Sequence, residues 1–99
     1  MSENSTGIDL IRAERQRQIE QEGWTPEHDA THKSQDLARA AACYATPERT
    51  RRVVNMRAVV WPLEWAFKPT PDDRVRELVK AGALIAAEID RLRAASHAG

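Results

Sequence analysis

The sequence predicts a mostly α-helical, single-domain protein. It reads as a compact three-helix domain with a long C-terminal helix and an irregular, tryptophan-rich segment before it. Three observations predict this. Val75, Leu78, Gly82, Ile85, Ile89 and Leu92 recur at three- and four-residue spacing, the period of one helix face. An alanine-rich stretch runs up to Pro47. An isoleucine stripe, Ile8, Ile11 and Ile19, is followed by Gly23, a helix stop.

Residues 1–7 are expected to be a flexible N-terminus and 96–99 a flexible C-terminus, with the domain over 8–95. The first helix should run from about Ile8 to Gln21. Its apolar content is thin, and Arg15 falls between Ile11 and Ile19 at four-residue spacing, on the core-facing line. Arg15 is either a snorkelling stem with its guanidinium at the rim or a cation aimed into a pocket or at a buried carboxylate. The second helix should run from about Ser34, which can cap it, to Ala45, with Pro47 ending it. Leu37, Ala38, Ala41, Tyr44 and Ala45 share a face. Cys43 sits on this small-sided helix as a buried thiol.

In residues 47–70, Val53-Val54 and Val59-Val60 are β-branched, so a short strand competes with a short helical or irregular segment. We read it as helical or irregular. The third helix has a clear start. Thr70-Pro71-Asp72-Asp73 reads as a cap, then proline at the first helical position, then acids in the first turn. The helix should continue to about Ala94. Its 3–4 repeat is nearly three heptads of a/d pattern, read here as core packing. Gly82 on that seam costs the helix about 1 kcal/mol relative to alanine and implies another helix crossing close by.

The chain has 99 residues, 41% hydrophobic and 30% charged, with 15 basic residues balancing 15 acidic ones. Neutrality argues against a general nucleic-acid binder, which usually needs a basic surplus. Arg49, Arg51, Arg52 and Arg57 crowd one stretch against Glu48 alone. They form a solvated loop or a patch matched to phosphate. A single cysteine allows no internal disulfide and no cysteine-based zinc site. No secretory leader and no membrane-spanning apolar run is visible, so a cytoplasmic protein is expected.

Residues 21–32 gather Trp24, His28, Asp29 and His32 with Glu22 and Glu27 into one connection, where binding groups concentrate. His28 and His32 have the spacing of metal ligands on one helix face. Equally, His28 and Asp29 can hydrogen-bond the loop and cap the second helix. Trp24, Trp61 and Trp65 are lids over a small core or stacking surfaces for a flat ring. Lys68 precedes the third helix, whose N-terminus attracts anions, although Asp72 and Asp73 already fill that turn. Glu14, Glu77 and Glu88 are helix-borne carboxylates to test for magnesium. The flank of Glu77, Lys80, Leu84 and Glu88 reads as solvated.

Several of these residues carry resemblances. Ile11, Glu14-Arg15, Glu22-Gly23-Trp24, His28-Asp29, His32, the Leu37–Ala45 helix, Trp61-Pro62, Trp65, Lys68-Pro69 and the helix from Leu78 to Leu92 resemble a group of small phage-encoded helical proteins. Members of that group carry a second aspartate where this chain has Ala30. Glu14-Arg15, Gly23-Trp24, Asp29 and His32 are similar to the ryanodine-receptor repeat domain. That resemblance implies a nucleotide-derived ligand. A third likeness is to the all-α nucleotide pyrophosphohydrolases, but their EExxE and ExxD hallmarks are not matched, since Glu88-Ile89-Asp90 has the wrong spacing.

The expected function is non-enzymatic binding, or sequestration, of a small nucleotide-like ligand, in a phage setting a counter-defence role in the host cytoplasm. The candidate ligand-binding residues are Arg15, Trp24, His28, Asp29, His32, Trp61, Trp65 and Lys68, with one of Arg49, Arg51 and Arg52 as a further phosphate contact. No catalytic residue, metal or cofactor is assigned, because no complete catalytic constellation is present. A homo-oligomer is expected from the Gly82 seam and the alanine-rich second helix. The rivals are a metal-dependent hydrolase using Glu14, Asp29, Asp36, Glu77 and Glu88, and a module that inhibits a host protein through exposed tryptophans.

Overall fold

A reciprocal cap starts the first helix. In the computed structural model, which describes residues 5–23, 35–62 and 64–98 with backbone alone at 97 and 98, α1 spans Gly7–Glu22. The Asp9 N–H donates to Thr6 Oγ1 at 3.2 Å and the Thr6 N–H donates to Asp9 Oδ2 at 3.0 Å. Such a box satisfies two helix-end donors at once. Gly23 ends α1 at φ 71°, its N–H bonded to the Gln18 carbonyl. Only glycine adopts that left-handed conformation without steric cost.

The second helix, α2, spans Asp36–Ala45. It starts two residues later than expected, at Asp36, behind Gln35 at φ 58° with no side-chain cap. Ser34 lies outside the described residues. The Thr46 hydroxyl donates to the Ala42 carbonyl at 2.7 Å, and Pro47 prevents further helix. Two short helices follow, α3 over Glu48–Val53 and α4 over Met56–Val59, joined at Asn55 with φ 52°. No strand occurs among the described residues. Arg51 explains the choice. It donates to the Cys43 and Thr46 carbonyls and to Glu77, which pins this stretch against α2. A lone hairpin would have had no such support.

After α4 the described residues form no regular helix until α5, Arg74–Ala98. Its start corrects the expected cap. Pro71 and Asp72 lie in the turn closed by the Asp73 N–H to the Thr70 carbonyl, and Asp73 Oδ1 accepts from the Arg76 N–H at 3.1 Å. Asp73, not Thr70, therefore caps the helix. The helix also continues past Ala94, to Ala98.

Both α1 and α2 pack on α5. The core is small-sided: Leu37, Ala40, Ala41, Cys43, Tyr44, Trp61, Ala81, Leu84 and Ala87. Here the largest correction arises. The heptad seam is not core. Val75, Leu78, Ile85, Ile89 and Leu92 are between 47% and 61% exposed. The flank read as solvated is the buried one, with Glu77, Leu84 and Glu88 inside. The expected close crossing at Gly82 is present: a Cβ there would stand 2.5 Å from Ile11 Cδ1 of α1.

The buried flank is viable because its carboxylates are paired. Glu77, 1% exposed, accepts from Arg51 at 2.8 Å, from Arg74 at 3.1 Å and from the Thr70 N–H at 3.1 Å. Burial pushes its carboxyl up, but the two arginines outweigh burial and hold it below the ordinary range. Arg74 also donates to the Tyr44 and Ala45 carbonyls at the end of α2. This joins the two helices at a point where free carbonyls need donors.

Candidate functional site

Three polar residues of α1, Glu14, Arg15 and Gln18, face inward. Glu14 and Gln18, one turn apart, are buried, and Arg17 lies beside them. Glu14 accepts from Arg17 at 2.8 and 2.9 Å and from Arg76 of α5 at 2.6 Å. Burial raises the Glu14 carboxyl, and the two guanidinium groups outweigh this and keep it low and charged. Gln18 Nε2 donates to Glu14 Oε2 at 3.2 Å. A carboxylate only accepts, so this bond fixes the amide orientation. Gln18 Oε1 then points away, buried and without a hydrogen-bond partner among the described residues.

A second, aromatic wall accompanies this polar one. Trp61 is buried, and its Nε1 donates to the Trp65 carbonyl at 2.8 Å. It meets Tyr44 edge-on at 5.3 Å and Trp65 edge-on at 6.3 Å, with Phe67 tilted behind at 4.7 Å. The Lys68 N–H donates to the Tyr44 hydroxyl at 3.2 Å. Edge-to-face pairs of this kind rigidify a wall beyond their area alone.

Between the walls lies a cavity of about 670 Å³, lined by Glu14, Arg17, Gln18, Glu22, Ala40, Tyr44, Trp61, Trp65, Ala66, Lys68, Arg76, Lys80 and Leu84. That size suits a small organic ligand. Four cations face two carboxylates there. Lys80 Nζ donates to the Lys68 carbonyl at 2.9 Å and lies 5.3 Å from the Tyr44 ring centroid. Burial, then the nearby Arg76 charge, pushes the Lys80 ammonium below its ordinary value. A bound anion would relieve that penalty.

Of the sequence-derived candidates, Trp61, Trp65 and Lys68 come together on this cavity. Arg15 is buried on α1 but does not line it. Trp24, His28, Asp29 and His32 lie outside the described residues. Arg51 is not free to meet a phosphate, since Glu77 and two carbonyls occupy it. Arg49 and Arg52 are exposed elsewhere and do not line the cavity. Glu14, Glu77 and Glu88, tested as magnesium ligands, are each held by arginine. No cluster of three or more His, Cys, Asp or Glu placed for a metal occurs among the described residues.

The sequence reading missed Glu14, Arg17, Gln18, Tyr44, Arg76 and Lys80 as cavity residues. The available signal was the poverty of apolar residues on α1. A helix with so few must bury polar groups somewhere, and a cavity is where buried polar groups find use. Arg76 and Lys80 share the four-residue spacing that places both on one face of α5. The chain matches no family model, no curated protein and no solved structure.

Proposed function

We propose that the chain binds, without turning it over, a small anionic ligand that carries a flat ring, of nucleotide-like chemistry. The observation that carries this reading is the meeting of tryptophan and tyrosine rings with arginine and lysine side chains around one cavity. Aromatic rings suit a base, and Lys80, Lys68, Arg76 and Arg17 suit phosphate. Glu14 orients both arginines before any ligand arrives, which reduces the ordering cost of binding. The arginine pairing of the buried carboxylates favours binding over metal-assisted cleavage, because those oxygens already have cationic partners. The resemblance to the ryanodine-receptor repeat implies a nucleotide-derived ligand, and in a phage setting such a binder would sequester a host signalling nucleotide.

The test is a melting-temperature screen against nucleoside mono-, di- and triphosphates and cyclic mono- and dinucleotides, followed by calorimetry on the best hit. A ligand at 100 times its Kd stabilises by roughly 2.7 kcal/mol. In a domain this small that raises the melting temperature by about 10–20 °C. Trp65→Ala and Lys80→Ala should each abolish the rise. A panel with no shift, or a shift that survives both substitutions, overturns the reading. Hydrolysis of the hit in the presence of magnesium would assign turnover instead.

A further inference from the structure

We infer that two copies of this chain pair through the open face shared by α1 and α5. On α5, Val75, Leu78, Ile85, Ile89 and Leu92 form a row of large, half-exposed aliphatic side chains. Gly82, the remaining member of the repeat, is covered by Ile11 of α1. That contact joins the α5 row to the isoleucine stripe of α1, where Ile8 is 64% exposed and Ile19 is partly exposed. Both stripes that read as core in the sequence therefore open onto one surface. Isolated surface aliphatics need no explanation, but a continuous row does.

The dimensions suit a dimer. Residues 75–92 of α5 span about 26 Å at a helical rise of about 1.5 Å per residue, and two helices side by side are about 20 Å across. The face is thus roughly 500 Å² per copy, or about 1,000 Å² for a pair, the lower limit for a specific interface. The occupant follows from the repeat. A strict a/d row packs by inserting its side chains between those of another helix with the same period. This chain supplies that helix itself, and a two-fold axis places the row against its own copy. The chain carries no net charge, so two copies meet without net repulsion. The exposed rim residues Arg12 of α1 and Asp90 and Arg93 of α5 carry both signs. The cavity of the proposed function does not include this row, so the two ideas stand or fall separately.

The experiment is light scattering coupled to size exclusion on the full chain, with a melting-temperature series over a hundredfold range of protein concentration. The expected result is twice the mass of one chain and a melting temperature that rises with concentration, since pairing stabilises by mass action. Ile85→Glu with Ile89→Glu should weaken pairing by about 100-fold or more while helicity by circular dichroism is retained. Val53→Glu, on an exposed valine of α3 outside the face, should leave the mass unchanged. If the double variant does not fold, the wild-type concentration series decides alone. A monomer with a concentration-independent melting temperature overturns the inference. So does a dimer whose mass the double variant leaves intact. A monomer that binds anionic phospholipid vesicles through these residues would assign the face to a lipid surface and overturn it equally.

Discussion

The two sides of α5 differ in a way that hydrophobicity does not predict. The side toward α2 carries Glu77, Ala81, Leu84, Ala87 and Glu88 and is buried. The side away from it carries Val75, Leu78, Ile85, Ile89 and Leu92 and is open. Two carboxylates are inside while five large aliphatic residues are outside. Alanines on the buried side let α2 approach closely, and the arginines that reach Glu77 from α3 and from α5 satisfy it there. The difference teaches that the inward face was set by which groups had partners within the chain. The aliphatic face stays open within the chain.

The strongest way to break this comparison is to remove the buried charge. Glu77→Ala strands Arg51, itself buried, and should cost about 3–5 kcal/mol. That is a large part of the 5–15 kcal/mol typical of a whole domain. The neighbouring substitution on the open side, Leu78→Ala, should cost under about 1 kcal/mol in dilute solution, where no copy covers it. Urea denaturation of both variants at low concentration measures the contrast. Equal losses would mean that the buried ion pairs do not carry the fold.

A parallel pair sharpens the apolar half. Leu84→Ala empties a fully buried position and should cost about 2–5 kcal/mol. Ile85→Ala, the next residue and on the open side, should cost less than half of that until protein concentration is raised. A cost for Ile85→Ala that grows with concentration would locate its burial in the paired state.

Acid tests the same carboxylates without mutation. In the fold, burial raises Glu77 and Glu14, and their arginines outweigh it, so both are lowered from 4.5. A group with a depressed folded pKa stabilises above its unfolded pKa, and that stability is lost as pH falls through the folded value. Melting temperature should therefore hold from neutrality down to the ordinary carboxylate range and fall steeply below it. Glu77→Gln should start lower and fall less steeply. A wild-type curve no steeper than that of the variant would count against the buried pair.

Much of the fold was legible because its punctuation is local. Gly23 stops α1, Pro47 stops α2, and the 3–4 repeat marks α5 as helix. Each signal acts within one or two turns. What was not legible depends on distant partners. The repeat showed that α5 is a helix but not which side faces in, because Arg51 lies in another element and reverses the answer by pairing Glu77. The β-branched residues near 53 and 59 kept a short strand open beside the helical or irregular reading, and it is the same distant arginine that holds that stretch helical. The Thr70-Pro71 start was displaced by three residues because Asp73 is the group that reaches the Arg76 N–H. The candidate site divides along the same line. Trp61, Trp65 and Lys68 stood out as loop aromatics beside a cation. Gln18, Arg17, Arg76 and Lys80 looked like ordinary helix surface until α1 was laid across α5.

A smaller effect than those of the buried positions is expected where the two sides of α5 meet, at Gly82. Alanine there would gain about 1 kcal/mol of helix propensity. Its Cβ would stand 2.5 Å from Ile11 Cδ1 and 2.8 Å from Ile11 Cγ1, so Ile11 must swing away. Overpacking of this kind costs about 1–3 kcal/mol, and the net loss for Gly82→Ala should be about 1 kcal/mol. In an Ile11→Ala background the obstructing atoms are gone, and Gly82→Ala should turn stabilising. A double-mutant cycle by urea denaturation reads that change of sign as the coupling between the two sites. If Gly82→Ala costs the same in both backgrounds, the close approach of α1 is not what the glycine serves. The union of the α1 and α5 stripes into one face then loses its structural hinge.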